Sequence, residues 1–145
     1  MDDGPLLSAA ALTSFKLNGQ FLALAEELAK PAGLTAAWWQ VLGAVMPAPL
    51  PVAGIAREMG ITRQSVQRIA DILVDRGYAE YRVNPAHRRA QLLALTDAGL
   101  EAVRRIAPQH ADAAHRLATV MGRERLAEAV TALQDLSTAL DKLDD

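Results

Sequence analysis

The chain has 145 residues, 51% of them apolar and 22% charged, enough to bury one ordinary core. It contains no cysteine, which excludes disulfides, zinc–thiolate sites and thiol redox switches. The net charge of −2 is a poor match to a uniformly basic polyanion binder. No apolar run is long enough to span a bilayer, and the start Met1-Asp2-Asp3-Gly4-Pro5 lacks a basic signal region, so the expectation is a cytoplasmic protein with no membrane partner.

In chain order, Leu12, Phe15, Phe21, Leu22, Ala25 and Leu28 give a long apolar face and predict a helix from about Ser8 to Ala29, closed by Pro31 and Gly33. A second helix is expected from about Thr35 to Met46, with Trp38, Trp39, Val41, Leu42 and Val45. Neighbouring helical positions point about 100° apart, so the two tryptophans do not share one task, and at least one belongs to the core or a dimer interface. The segment Met46-Pro47-Ala48-Pro49-Leu50-Pro51 is too rich in proline to be helical and is expected as a loop.

Residues 52 to 96 carry the most informative pattern. Ile55, Ala56 and Met59 form an apolar face on a short helix. Gly60 supplies the left-handed stop of a tight turn, and Ile61 is expected to pack into that turn. Thr62 is an N-cap for the next helix, able to accept a bond from the amide of Gln64 or Ser65; with no Glu or Gln at position 65 there is no capping box. Val66, Ile69, Ala70, Leu73 and Val74 then face the core, which leaves Arg63, Gln64, Gln67, Arg68, Asp71 and Asp75 outward. Arg and Gln side chains, with forks suited to guanine and adenine edges, occupy the N-terminal half of that outer face, as a groove-entering helix requires.

Gly77 ends this helix. Tyr78 to Val83 and Gln91 to Leu95 read as strands around a turn that carries Pro85, His87, Arg88 and Arg89. Two adjacent arginines at such a tip suit phosphates or the minor groove; the bland alternative is a solvated turn that keeps an edge strand soluble. Beside the preceding helix, DNA contact is the favoured reading. Charge distribution agrees, since seven arginines oppose four acids between residues 52 and 96, whereas the rest of the chain holds eight basic residues against thirteen acidic ones.

After the hairpin, Thr96 and Asp97 signal a helix from about Asp97 to Met121, with Leu100, Val103, Ile106, Leu117 and Met121 apolar and a kink expected at Pro108. Gly122 breaks it. A last helix from about Arg123 to Leu143 aligns Leu126, Val130, Leu133, Leu136, Leu140 and Leu143. Terminal helices with such faces find little core in a small winged-helix domain. A second copy would cover them, and a two-fold homodimer suits duplex DNA with two half-sites.

The chain also resembles the MarR family. Gly33-Leu34-Thr35 with Trp38-Trp39-Gln40-Val41-Leu42 is similar to the family's second-helix entry, Ile55-Ala56-Arg57-Glu58-Met59-Gly60-Ile61 to its leucine-alanine-x-x-x-glycine helix, and Thr62-Arg63-Gln64-Ser65-Val66 to the opening of its recognition helix. Leu73-Val74-Asp75-Arg76-Gly77-Tyr78 resembles the recognition-helix exit, and Arg88-Arg89-Ala90 with Leu95-Thr96-Asp97-Ala98-Gly99 the wing and the next helix. The match runs from about Ser8 to Leu143, and the order and spacing of the motifs carry it.

The resemblance implies a mainly α fold with a small β-hairpin wing, one MarR-like domain over residues 1–145. Residues 8–46 and 97–143 would form the dimerisation and ligand helices, and residues 51–96 the winged helix-turn-helix lobe. It implies a homodimeric transcriptional regulator, in the expected case a repressor on an inverted-repeat operator in double-stranded DNA, released by a small aromatic effector. Thr62, Arg63, Gln64, Ser65, Gln67, Arg68, Arg88 and Arg89 are the expected DNA-binding residues, and Phe15, Trp38 and Trp39 the expected ligand wall. One departure concerns the wing, where the family carries an acid two positions before its arginine and this chain has His87 before Arg89. Histidine there would make binding pH-sensitive or, in the favoured reading, is neutral change at an exposed turn.

No catalytic constellation, phosphate loop, metal-ligand cluster or cofactor motif is visible, and His110 and His115 read as solvated or interface residues, so no enzyme is expected. The competing class is a winged-helix protein-interaction module without DNA binding, favoured by the net negative charge. A small-molecule binding protein or enzyme built on Trp38 and Trp39 is a third reading, with nothing catalytic to support it.

Overall fold

The computed structural model describes residues 2–144, which form two compact units, one reaching Ala107 and the other beginning at Pro108. The first holds α1 (Asp3–Ala29), α2 (Ala36–Ala44), β1 (Leu50–Pro51), α3 (Val52–Met59), α4 (Arg63–Asp75), β2 (Ala79–Arg82), β3 (Leu92–Leu95) and the start of α5 (Asp97–Met121). The second holds the rest of α5 and α6 (Arg123–Asp141), followed by a 3-10 turn at Lys142–Asp144. Pro108 lies within α5.

Local chemistry sets the element ends. Beyond α1 a 3-10 turn at Lys30–Ala32 leads to Gly33, whose φ of 77° is open to glycine without a steric penalty. Thr35 caps α2 by accepting a bond from the amide of Trp38 at 3.1 Å, and Glu26 reaches from α1 to accept from the amide of Ala36 at 3.0 Å. Gly60, with φ 68°, ends α3, and the amide of Ile61 returns to the carbonyl of Ala56. The Ile61 side chain is exposed, so the turn is held by its backbone and not by burial of Ile61 as the sequence suggested.

The core of the first unit joins Val41 and Leu42 of α2, Ile55 and Ala56 of α3, Val66, Ile69, Ala70 and Leu73 of α4, Leu93 of β3, and Ala102, Val103 and Ile106 of α5. The stripe predicted for α4 is therefore the buried one, with Val74 packed at its margin. Trp38 and Trp39 are half-buried against the same cluster.

The wing contains the expected hairpin, β2 paired with β3, and adds a third strand to it. It is a three-stranded antiparallel sheet of order β1-β3-β2, in which Leu50 stands opposite Leu93, and Tyr81 opposite Leu93 on the other side. The end of the proline-rich segment is thus a strand and not a loop. Leu50 and Pro51 occupy an edge strand, where the missing proline N–H leaves no interior ladder bond unmade.

Within the second unit, Gly122 separates the helices at φ 90°, its amide donating to the carbonyl of Ala118 at 2.8 Å. No residue of α6 is buried. Val130, Leu133 and Leu140 are exposed, as are Leu12, Phe15, Phe21 and Leu22 of α1. No described helix is long and apolar enough to cross a membrane.

Candidate nucleic-acid interface

The N-terminus of α4 is built around Thr62, whose Oγ1 accepts from the amide of Ser65 at 3.1 Å and donates to the Ser65 hydroxyl at 2.9 Å. Thr62 and Ser65 are thereby tied to each other and secure the first turn. Arg63, Gln64, Gln67 and Arg68 project from that turn and the next as exposed side chains. The wing tip is equally local in origin. Asn84 Oδ1 accepts from the amide of Ala86 at 3.0 Å, and successive bonds from His87 to Asn84 and from Ala90 to His87 continue the turn. His87, Arg88 and Arg89 are exposed on it.

Tertiary folding brings these two segments together. An open cleft of about 380 Å³ is lined by Arg63, Gln64 and Gln67 of α4, Tyr81 of β2, Arg89 to Gln91 of the wing, and Pro51 to Ala53 at the start of α3. Four of the eight DNA-facing residues expected from sequence, namely Arg63, Gln64, Gln67 and Arg89, share this cleft; Thr62, Ser65, Arg68 and Arg88 do not line it. A second depression beside the turn is lined by Ala53, Ala56, Arg57, Gly60, Ile61 and Arg63.

Tyr81 is the residue of this site that sequence reasoning missed. Its hydroxyl donates to Asp71 Oδ1 at 2.5 Å and accepts from Gln67 Nε2 at 2.9 Å, while the same Nε2 donates to Asp71 Oδ1 at 3.0 Å. The two acceptor oxygens lie so close together that one N–H of Gln67 serves both, because the two hydrogens of an amide diverge too widely to point into one narrow gap. Burial first, then the bond to Asp71 and its charge, push the Tyr81 phenol up to about 12, so it remains a proton donor at neutral pH. Two of these three residues were open to a reader of the sequence, since Gln67 and Asp71 stand four apart on one helical face. The phenol comes from a strand ten residues beyond Asp71 and carried no such signal.

Elsewhere the arginine excess is partly spent within the protein. Arg82 pairs with Glu80 at 2.8 Å, and the Arg76 guanidinium lies 5.1 Å from the ring centroid of Trp38. Of the expected ligand wall, Trp38 and Trp39 lie against the core, whereas Phe15 is 72% exposed on α1. His110 and His115 are exposed on α5.

A short helix, a glycine turn and a capped second helix, followed by a small antiparallel sheet with a basic tip, define a winged helix-turn-helix. Comparison with known proteins specifies it further. The sequence profile described as the MarR family matches residues 32–90. An uncharacterized protein of Mycobacterium tuberculosis, Rv2011c, is 37% identical over 126 residues, covering 87% of this chain and 88% of the relative. The chain belongs to the MarR family, and its fold is that of the family's transcriptional regulators. Among solved structures, a mutant of E. coli MarR complexed with operator DNA has a TM-score of 0.78 at 20% identity, over 94% of this chain and 99% of that one. The transcriptional repressor CouR bound to a 23-mer DNA duplex has a TM-score of 0.78 at 24% identity, over 94% and 98%. CouR from Rhodococcus jostii bound to p-coumaroyl-CoA has a TM-score of 0.75 at 21% identity, over 93% and 92%.

Proposed function

We propose that the protein is a cytoplasmic, homodimeric transcriptional repressor that binds an inverted-repeat operator in double-stranded DNA. In each subunit residues 51–96 form the DNA-binding lobe, and helices within 8–46 and 97–143 serve dimerisation and ligand binding. Arg63, Gln64, Gln67 and Arg68 meet base edges in the major groove, Thr62 and Ser65 hold the first turn of α4 against the backbone, and Arg88 and Arg89 meet phosphate or the minor groove. The observation that carries this reading is the shared cleft, in which Arg89 of the wing joins Arg63, Gln64 and Gln67 of α4. The DNA complexes of similarly folded MarR and CouR support it.

Selection from a random duplex library, followed by titration of the enriched sequence at several salt concentrations, tests the proposal. A two-fold symmetric sequence should emerge, with half-sites about one helical turn apart and affinity falling steeply with salt. A protein that selects no sequence is not this regulator.

The release signal we propose is a small aromatic molecule held beside Phe15, Trp38 and Trp39. Support comes from the p-coumaroyl-CoA complex of CouR and from the Arg76–Trp38 contact, which joins the end of α4 to the proposed wall. A ligand of this kind regulates only if its affinity differs between the free and DNA-bound states. Titration of aromatic carboxylates and phenols, followed by tryptophan emission and operator binding in parallel, checks it: saturable quenching with no loss of operator affinity rejects the switch.

A further inference from the structure

We infer that Asp71 and Tyr81 act as a lock on the Gln67 amide, fixing its carbonyl for exocyclic amino groups, the N6 of adenine or the N4 of cytosine. The inference rests on α4 being the groove-entering helix.

A glutamine side chain carries an acceptor at one end and two donors at the other, and rotation of the amide exchanges them. An unrestrained glutamine on a recognition helix can therefore offer its oxygen to an amino group or its nitrogen to a keto oxygen. Here the exchange is blocked. The nitrogen end faces Asp71 Oδ1 at 3.0 Å and the Tyr81 oxygen at 2.9 Å. The one hydrogen of that phenol is already donated to Asp71. A rotated amide would set Oε1 against a carboxylate oxygen and a phenol oxygen with no hydrogen left to share, three acceptors in contact.

Gln67 is exposed and lines the cleft between α4 and the wing, so the end of the amide turned from the lock is presented to that cleft. That end carries the carbonyl, with the second N–H of the amide as a flanking donor, the pairing that suits N6 and N7 of adenine. In the major groove each base pair displays one amino group, on adenine or cytosine, and a keto oxygen on its partner base, so a fixed acceptor tells which strand bears the amino group. Phosphate oxygens are acceptors too, which directs the Gln67 carbonyl away from the backbone.

Asp71 and Tyr81 are positioning residues in this scheme, acting through Gln67 and coming from two elements. Asp71 is the stronger bar to rotation because it carries the charge; Tyr81 adds an oxygen whose orientation Asp71 dictates. An asparagine at position 71 has a donor to offer a rotated Gln67 carbonyl and releases the lock.

Library selection with the full-length protein, its Gln67→Ala, Asp71→Asn and Tyr81→Phe variants and the double variant of the last two decides the matter, with thermal unfolding as a check that each is folded. Gln67→Ala identifies the position Gln67 reads. There the natural protein should favour amino over keto bases on the contacted strand by about five- to tenfold, the low end of what a base contact gives. Asp71→Asn should bring that ratio below about twofold and leave the other positions as they were, Tyr81→Phe should fall between, and the double variant should show no preference. A merely structural role for Asp71 and Tyr81 would weaken every position alike. The lock is overturned if Asp71→Asn leaves the ratio intact, or if Gln67→Ala alters no position of a sequence that the natural protein does select. If the natural protein selects no sequence, both the DNA reading of α4 and the lock fall.

Discussion

Gly99 at the start of α5 lies directly against the carbonyl of Tyr78 at the entry to β2: a Cβ at position 99 would stand 2.0 Å from that oxygen and 3.2 Å from Leu95 Cδ1. The junction is tied further by Thr96, whose Oγ1 donates to the carbonyl of Gly77 at 2.6 Å and accepts from the amide of Gly99 at 3.1 Å. The exit of α4, the end of β3 and the start of α5 thus meet around one glycine. Because the obstructing atom is backbone, Gly99→Ala should cost about 3 kcal/mol, at the upper end of ordinary overpacking. Gly19→Ala, in mid-α1 with open space around the added methyl, should instead stabilise the chain by about 0.5 to 1 kcal/mol. Urea unfolding of both variants measures the difference.

The Tyr81 phenol predicts a pH dependence with a definite sign. Its pKa rises from 10.0 to about 12 on folding, so the folded state holds the proton more tightly than the unfolded chain. Its contribution to stability is complete below pH 10 and is lost as pH climbs from 10 towards 12. The stability difference between the natural protein and Tyr81→Phe should be constant through neutral pH and shrink over that alkaline window. An absorbance titration of phenolate should show the late-ionising group vanish in the variant.

Arg68 and Arg89 should separate by the kind of loss they cause. Arg68→Ala should cost about 1 to 3 kcal/mol on the operator and relax preference at one base position per half-site. Arg89→Ala should weaken all sequences alike and reduce the salt slope by about one unit. If the recognition-helix change left the preferred sequence untouched while the wing change altered it, the two roles would be exchanged.

Leu133 and Leu140 are exposed on a helix that buries nothing within its own chain. Leu133→Asp with Leu140→Asp should convert the proposed dimer to monomer and abolish operator binding together, and removal of residues 123–145 should do the same. Sedimentation of the doubly substituted protein reads the outcome; a dimer that survives places the interface elsewhere.

Much of this architecture was legible in the sequence because it depends on near neighbours. The stripe from Val66 to Leu73, the Thr62 cap, the Gly60 and Gly77 stops and the Thr96 cap all involve residues within about one helical turn of each other, and the structure places each where that chemistry puts it. Outward projection of Arg63, Gln64, Gln67 and Arg68 follows from the same periodicity. Tertiary structure alone decided the rest. Leu50 and Pro51 became a strand because β3 offered an edge at Leu92 and Leu93, far along the chain, and Gly99 has no room for a side chain because the carbonyl of Tyr78 occupies its place. Arg89 reached the cleft of α4, and Tyr81 closed on Asp71 and Gln67, through contacts between elements far apart in sequence. Helical spacing decides which residues share a face, but which hydroxyl meets that face, and so which end of a glutamine is turned outward, depends on the packing of a strand against it.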